Sequence, residues 1–314
     1  MRSFTSAPLS RPLANLACML SMLVWAAGLP AADLLIGPVP PLLLTAVRIA
    51  LAALCLLPVW WFMEGGATIK TAGWLKGIAI GGGTIGFGAF LLAAGQGMTN
   101  AVTAVVIAAS MPVVGIAIEV VLDGRKITAS LLVGLVLSFA GGLMALSGSK
   151  DSVGLGLGAA LCFSSMVFYT LGSRMTVTSF PQLSALGQTT ITLCGAAIGM
   201  GAAAAINALL GGQGPDWSVL GLKELGALAL YSIGGLAISQ VLWIVSIGNI
   251  GIALSSLHMN ATPFYVMLIL FAMGGAWNWT QAFAAAIVGL GVLIAQGVIP
   301  LWDFSRLAIK KTST

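Results

Sequence analysis

Cut at its charges and at its proline and glycine clusters, the chain falls into ten apolar runs, each long enough to cross a lipid bilayer. They cover roughly 13–32, 41–62, 73–94, 99–122, 127–147, 153–173, 183–209, 224–246, 251–272 and 280–301. A spanning helix needs about 20 apolar residues. Inside lipid a segment has to satisfy its own backbone hydrogen bonds, so runs of this length are helices rather than strands. Only 7% of the 314 residues are charged, against about 25% in soluble domains. A chain so poor in charge has nothing to keep it in water as a monomer. The 41 glycines suit helices that approach closely in a bilayer. The first run follows Arg2 and Arg11 and ends near Ala31 and Ala32, as a signal peptide does. Only further spans come after it, so it reads as a retained first helix.

The basic residues set an orientation. With the N-terminus inside, the cytoplasmic segments hold Arg2, Arg11, Lys70, Lys76, Arg125, Lys126, Arg174, Arg306, Lys310 and Lys311. The outer segments hold Lys150 and Lys223, and Arg48 lies within the second span. Ten against two is the positive-inside bias of a polytopic membrane protein. Both termini then face the cytoplasm, which requires an even number of spans. The net charge of +5 is this topology signal. Its scatter offers no face for a nucleic acid.

The chain also resembles itself. Residues 100–112 read NAVTAVVIAASMP and residues 251–263 read GIALSSLHMNATP, both breaking at a proline after the same interval. A second pair is Val133, Gly134, Leu135, Ala140 and Gly142 against Val288, Gly289, Leu290, Ala295 and Gly297. Ten spans divide into two groups of five. Five is odd, so the second group enters the membrane from the opposite side. The expected architecture is an all-α polytopic membrane protein of ten transmembrane helices. Residues 1–150 and 151–314 would be its two inverted five-helix repeats, arranged around a central cavity. Inverted repeats place a site near the bilayer midplane and open it to each side in turn.

The 5+5 arrangement, the segment around Trp25, the run Phe168-Tyr169-Thr170-Leu171-Gly172-Ser173-Arg174 and the apolar span ending at Pro112 resemble the drug/metabolite transporter superfamily. Within it the chain is most similar to the EamA-type repeat and to the YddG-type aromatic amino-acid exporters of bacterial inner membranes. EamA repeats usually carry Gly-Glu after the fourth helix of each half. Here the positions read Asp123-Gly124-Arg125 and Gly274-Gly275-Ala276, without the glutamate. The resemblance implies export of small metabolites through a central cavity, with no use of ATP.

Polar side chains inside spans are costly and tend to mark function. His258, the one histidine, lies near mid-depth in the ninth run with Asn260 and Thr262 before Pro263. It is either a cavity-lining hydrogen-bonder, with protonation an option, or a histidine satisfied by a neighbouring helix. Pro112 and Pro263 each free a backbone carbonyl and can kink their helices, as gates or for packing alone. Trp25, Tyr169 and Trp243 offer flat apolar walls of the kind an aromatic substrate needs. Gln240 shares a helical face with Trp243, three residues on, and Ser165 joins it among the polar candidates. Trp60, Trp61, Trp74, Trp217, Trp277, Trp279 and Trp302 stand at span ends and read as interfacial anchors. Arg48 lies about 10 Å inside the second helix by helical rise. It can meet a substrate carboxylate, snorkel outward, or pair with Asp33. Glu119 pairs most naturally with Arg125 or Lys126.

Other chemistry has little to work with. Gly81-x-Gly83-x-x-Gly86 fits a dinucleotide pattern but lies inside an apolar run with no strand before it. It reads as helix packing, with Gly82 and Gly86 on the contact face. The cysteines Cys18, Cys55, Cys162 and Cys194 have no metal-binding spacing and read as packing residues. No catalytic residue, metal site or cofactor is expected. The leading expectation is an inner-membrane exporter of amino acids, aromatic ones included, working as a monomer. Its mechanism would be alternating access, facilitated or weakly coupled, since no carboxylate sits clearly at mid-membrane. The alternatives are a multidrug exporter of lipophilic cations and, less favoured, an intramembrane enzyme.

Overall fold

The computed structural model describes residues 9–98, 107, 110–146, 156–216, 218–272, 274 and 276–300. Most of the repeat motif at 100–112 therefore lies outside the described residues. So do Arg2, Lys150, Trp217, Trp302, Arg306, Lys310 and Lys311, and the side chains of Asp33, Gln96 and Pro263. Among the described residues the helices group into ten rods. These are α1 (Arg11–Asp33), α2 (Pro41–Thr71), α3 (Trp74–Ile80, Gly81–Gly86 and Phe87–Met98 in succession), α4 (Met111–Asp123) and α5 (Ala129–Leu146). Then follow α6 (Leu157–Ser179), α7 (Ala185–Leu209), α8 (Leu222–Ala229, Leu230–Ile238 and Ser239–Ile250), α9 (Ile252–Ser256, Leu257–Ala261 and Thr262–Ala272) and α10 (Trp279–Ala295). Among the described residues, four helical stretches are long and apolar enough to cross a membrane: Pro41–Thr71, Trp74–Gly95, Ala185–Leu209 and Leu222–Ile250.

Gly251, at φ 84°, is the single residue between α8 and α9. That left-handed conformation is open to glycine at no steric cost. The interior of the rods is less regular than the hydropathy suggests. α3 and α8 each carry a π-helical stretch, at Gly81–Gly86 and Leu230–Ile238. α9 narrows to a 3-10 turn over Leu257–Ala261.

The packing has a numerical regularity. α3 packs on α6 and α8 on α1. α3 packs on α7 and α8 on α2. α4 packs on α6 and α9 on α1. α2 meets α7, α4 meets α9 and α5 meets α10. Advancing every helix number by five, counting round after ten, exchanges the first six of these pairings in couples and leaves the last three unchanged, whereas α5 with α9 and α6 with α8 have no such counterpart among the described residues. Two of the interfaces are backbone on backbone. A Cβ on Gly81 of α3 would collide with the Thr192 carbonyl of α7 and lie 2.8 Å from Ala196 N. On α5 and α10, a Cβ on Gly291 would lie 2.7 Å from Gly134 O, and one on Gly141 would lie 2.7 Å from Ala284 O. The α5–α10 contact uses Gly291 rather than Gly289 of the repeat motif, which has nothing near it. One tryptophan departs from the expected anchor role. Trp60 is fully buried, with its ring 6.2 Å from that of Trp74 and against Gly187.

Candidate functional site

Helix α8 is where the polar side chains of the bundle converge. On α6, Tyr169 and Ser173 stand one turn apart and face Gln240 and Trp243 of α8, themselves one turn apart. The Tyr169 hydroxyl donates to Gln240 Oε1 at 2.5 Å. Trp243 Nε1 donates to Ser173 Oγ at 3.1 Å. Gln240 and Trp243 are only 3% and 2% exposed, so a partner lost here leaves a polar atom stranded, at about 1–3 kcal/mol. Ser165, one turn before Tyr169, is buried too, and α3 reaches that turn at Gly88. From α1, Ser21 Oγ donates to Ser239 O at 2.7 Å, and Trp25, one turn on, is half-buried. Trp243 belongs to a buried cluster that includes Cys18 and Met22 of α1, Met111 of α4, Met166 of α6 and Tyr265 of α9.

Arg48 meets partners that the sequence did not suggest. From α2 it reaches the π-helical stretch of α8. Nε donates to Tyr231 O at 3.3 Å, Nη1 to Tyr231 Oη at 3.0 Å and Nη2 to Gly235 O at 3.2 Å. Its guanidinium carbon lies 3.7 Å from the Tyr231 ring centre. π-Helical turns are rare and occur mostly at functional sites. Here a cation from the neighbouring helix helps hold one. Three of the five guanidinium N–H donors are engaged, and no carboxylate among the described side chains pairs with it.

His258 and Asn260 have a different setting. Both are buried on the 3-10 turn of α9. Asn260 Nδ2 donates to Ser138 Oγ of α5 at 3.0 Å, and Ser138 Oγ donates to Leu257 O at 3.0 Å. His258 Nδ1, Asn260 Oδ1 and Thr262 Oγ1 are buried without a hydrogen-bond partner among the described residues. Three stranded polar atoms within five residues mark a place that a water or a polar ligand group would satisfy. Pro263 stands second in Thr262–Ala272, directly after the 3-10 turn. Pro112 stands second in Met111–Asp123, in a first turn where its missing N–H costs nothing.

The structure thus joins Tyr169, Gln240 and Trp243, with Ser165 on the adjoining turn. It sets Arg48 further along α8, and turns Asn260 toward α5. Ser173 and Ser138 were not singled out from the sequence. The available signal was position: Ser173 lies four residues after Tyr169 and so shares its face. At the far end of α4, Glu119 pairs with Arg125 and its Oε1 accepts from Ala253 N at 2.9 Å, tying α4 to the start of α9. Asp123 pairs with Arg174 of α6. The Arg174 guanidinium, through its hydrogen bond, holds the Asp123 carboxyl below its ordinary range.

Comparison with known proteins adds the following. Residues 12–147 match the EamA-like transporter family. A solved structure described only as a crystal structure of a protein is similar at a TM-score of 0.76. It covers 93% of this chain and 99% of its own, at 20% sequence identity, so the likeness is one of fold. No curated protein matches the chain.

Proposed function

We infer that this chain, which carries the EamA-like transporter pattern over residues 12–147, is a multi-pass membrane transporter of small molecules. Its two five-helix halves, 1–150 and 151–314, would lie inverted in the membrane and alternate access to a site between them. The observation that carries this reading is the main packing pattern: under a shift of five helices six of the named pairings exchange in couples and three map onto themselves, and the π-helical stretches of α3 and α8 obey the same offset. Two homologous halves meeting about a pseudo-symmetry axis would pack in this way, and rocking one half against the other is the motion such a design permits.

For the substrate we propose amino acids, aromatic ones included, as in the YddG-type exporters. Tyr169, Gln240, Trp243 and Ser165, with Trp25 on the neighbouring α1, supply aromatic faces and a few hydrogen-bonding groups for a side chain. The two spare N–H donors of Arg48 suit a carboxylate. A lipophilic cation would find that guanidinium unfavourable. Export across a bacterial inner membrane by a monomer, without ATP, completes the proposal. The test is counterflow in proteoliposomes with a panel of labelled amino acids. The expected result is exchange of aromatic and other neutral amino acids, slowed by Trp25→Ala and by Gln240→Ala. Failure of every amino acid to exchange overturns the substrate assignment.

A further inference from the structure

A cavity of about 420 Å³ opens at the end of the bundle that the charge bias assigns to the cytoplasm. It is lined by Arg11, Arg125, Thr128 and Ser130, with Ile250 and Leu254 among its apolar walls. It lies where α1, α5 and α9 begin and where α8 and α10 end. Its volume falls in the range of small-molecule sites, about 300–1,000 Å³. None of the residues discussed in the transport site lines it.

Its charge is unbalanced. Arg125 gives one side of its guanidinium to Glu119. The Arg11 guanidinium has no carboxylate or carbonyl partner among the described residues. The amides at the rim are taken up by neighbours, so the available groups are two guanidinia and two hydroxyls. Thr128 Oγ1 also accepts from Leu131 N at 3.2 Å, which caps the start of α5. The positive end of that helix and its first N–H groups therefore add to the same field. With Arg11 lacking a carboxylate partner among the described residues and Arg125 engaged on one side only, an anion entering the cavity meets free guanidinium donors.

We propose that this cavity binds a phosphate-bearing anion, held by Arg11 and Arg125 with hydroxyl donors from Thr128 and Ser130. A phosphate presents enough acceptor oxygens to engage two planar guanidinium forks and a hydroxyl at once. The apolar walls leave room for an organic substituent. The phosphate has two sources, an anionic lipid headgroup, for which basic pockets between helices on the cytoplasmic side are suited, or a soluble phosphate ester.

The test is thermal unfolding of the full chain in a neutral detergent, titrated separately with short-chain phosphatidylglycerol, with glycerol phosphate and with short-chain diacylglycerol. Wild type, Arg11→Gln and Arg11→Lys are compared. Lys223→Gln, at the other end of the bundle, serves as control. A phosphate-bearing probe is expected to raise the midpoint saturably. Arg11→Gln should raise the half-saturating concentration about tenfold or more, Arg11→Lys less, and Lys223→Gln not at all. Stabilisation by phosphatidylglycerol alone identifies a headgroup site. Stabilisation by glycerol phosphate identifies a site for soluble esters. Equal stabilisation by diacylglycerol, or a half-saturation point unchanged in Arg11→Gln, overturns the proposal. If Arg11→Gln does not fold, Ser130→Ala is read in its place by the same criterion.

Discussion

Gly81 and Gly83 lie two residues apart in the same π-helical stretch and should respond to alanine in opposite directions. Alanine in place of glycine within a helix gains about 0.5–1 kcal/mol from backbone entropy. At Gly83 nothing lies within 4 Å of the new Cβ, so that gain is the whole effect and Gly83→Ala should stabilise. At Gly81 the Cβ would run into the Thr192 carbonyl and come within 2.8 Å of Ala196 N. Both obstacles are backbone, so no side chain can swing aside and α7 has to move off. Overpacking costs about 1–3 kcal/mol, occasionally more, and a clash with backbone belongs at the upper end. The entropic gain is common to both variants, so their difference isolates the steric cost, about 3 kcal/mol or about 100-fold in the unfolding equilibrium. The measurement is reversible unfolding in mixed micelles, followed by tryptophan fluorescence. Equal stability of the two variants would refute the close approach of α3 and α7, and with it the steric reason for glycine at position 81.

Two further outcomes are expected. Tyr169→Phe strands Gln240 Oε1 in a buried setting and should cost about 1–3 kcal/mol, whereas adding Gln240→Leu removes the stranded atom and should recover most of the loss. Additive losses in the double variant would show that the Tyr169–Gln240 bond is not what orders this turn. The second concerns pH. Arg174 depresses the folded-state pKa of Asp123, so the stabilisation is complete above the ordinary carboxylate value of about 4 and fades as pH falls through the lower folded value. The Asp123 side chain is 42% exposed, so solvent screening holds the effect to about 1 kcal/mol or less. The thermal midpoint of the wild type should approach that of Asp123→Asn in acid. A gap between them that is constant with pH would count against the pair.

The sequence discloses the rods because a bilayer leaves an apolar run so few options, but the α8–α9 break is its faintest cut, with only Gly248 to Gly251 between the two runs. That Glu119 pairs with a basic neighbour is legible from spacing, though Arg125 and Lys126 stay equal choices there, and the packing role of Gly82 and Gly86 is legible too. The meeting of Tyr169 with Gln240 is legible in kind, since scarce polar atoms in an apolar setting have to find one another. What escapes is everything that depends on a neighbour. The π-helical stretches lie where Arg48 meets α8 and where α7 packs on α3, and their change of pitch is not written in the local residues. Arg48 is legible in part: its distance from the helix end is readable, but the ring and carbonyls it reaches lie on a helix more than 180 residues away. Trp60 looks like an anchor because it stands where a span should end. Only the packing against Trp74 and Gly187 reveals it as core.

The single-residue turn at Gly251 sets a limit on how the bundle can deform. One residue gives α8 and α9 no leash: their adjoining ends must travel together, and Glu119 fastens α4 to the same point through Ala253. Any displacement imposed there is passed undiminished into the helices themselves. The 3-10 turn of α9 and the π-helical stretch of α8 then become the nearest places where the backbone can yield, one wound tighter than an α-helix and one looser. Such a pair can lengthen one rod as it shortens the other. Motion imposed at this joint would be taken up within the helices.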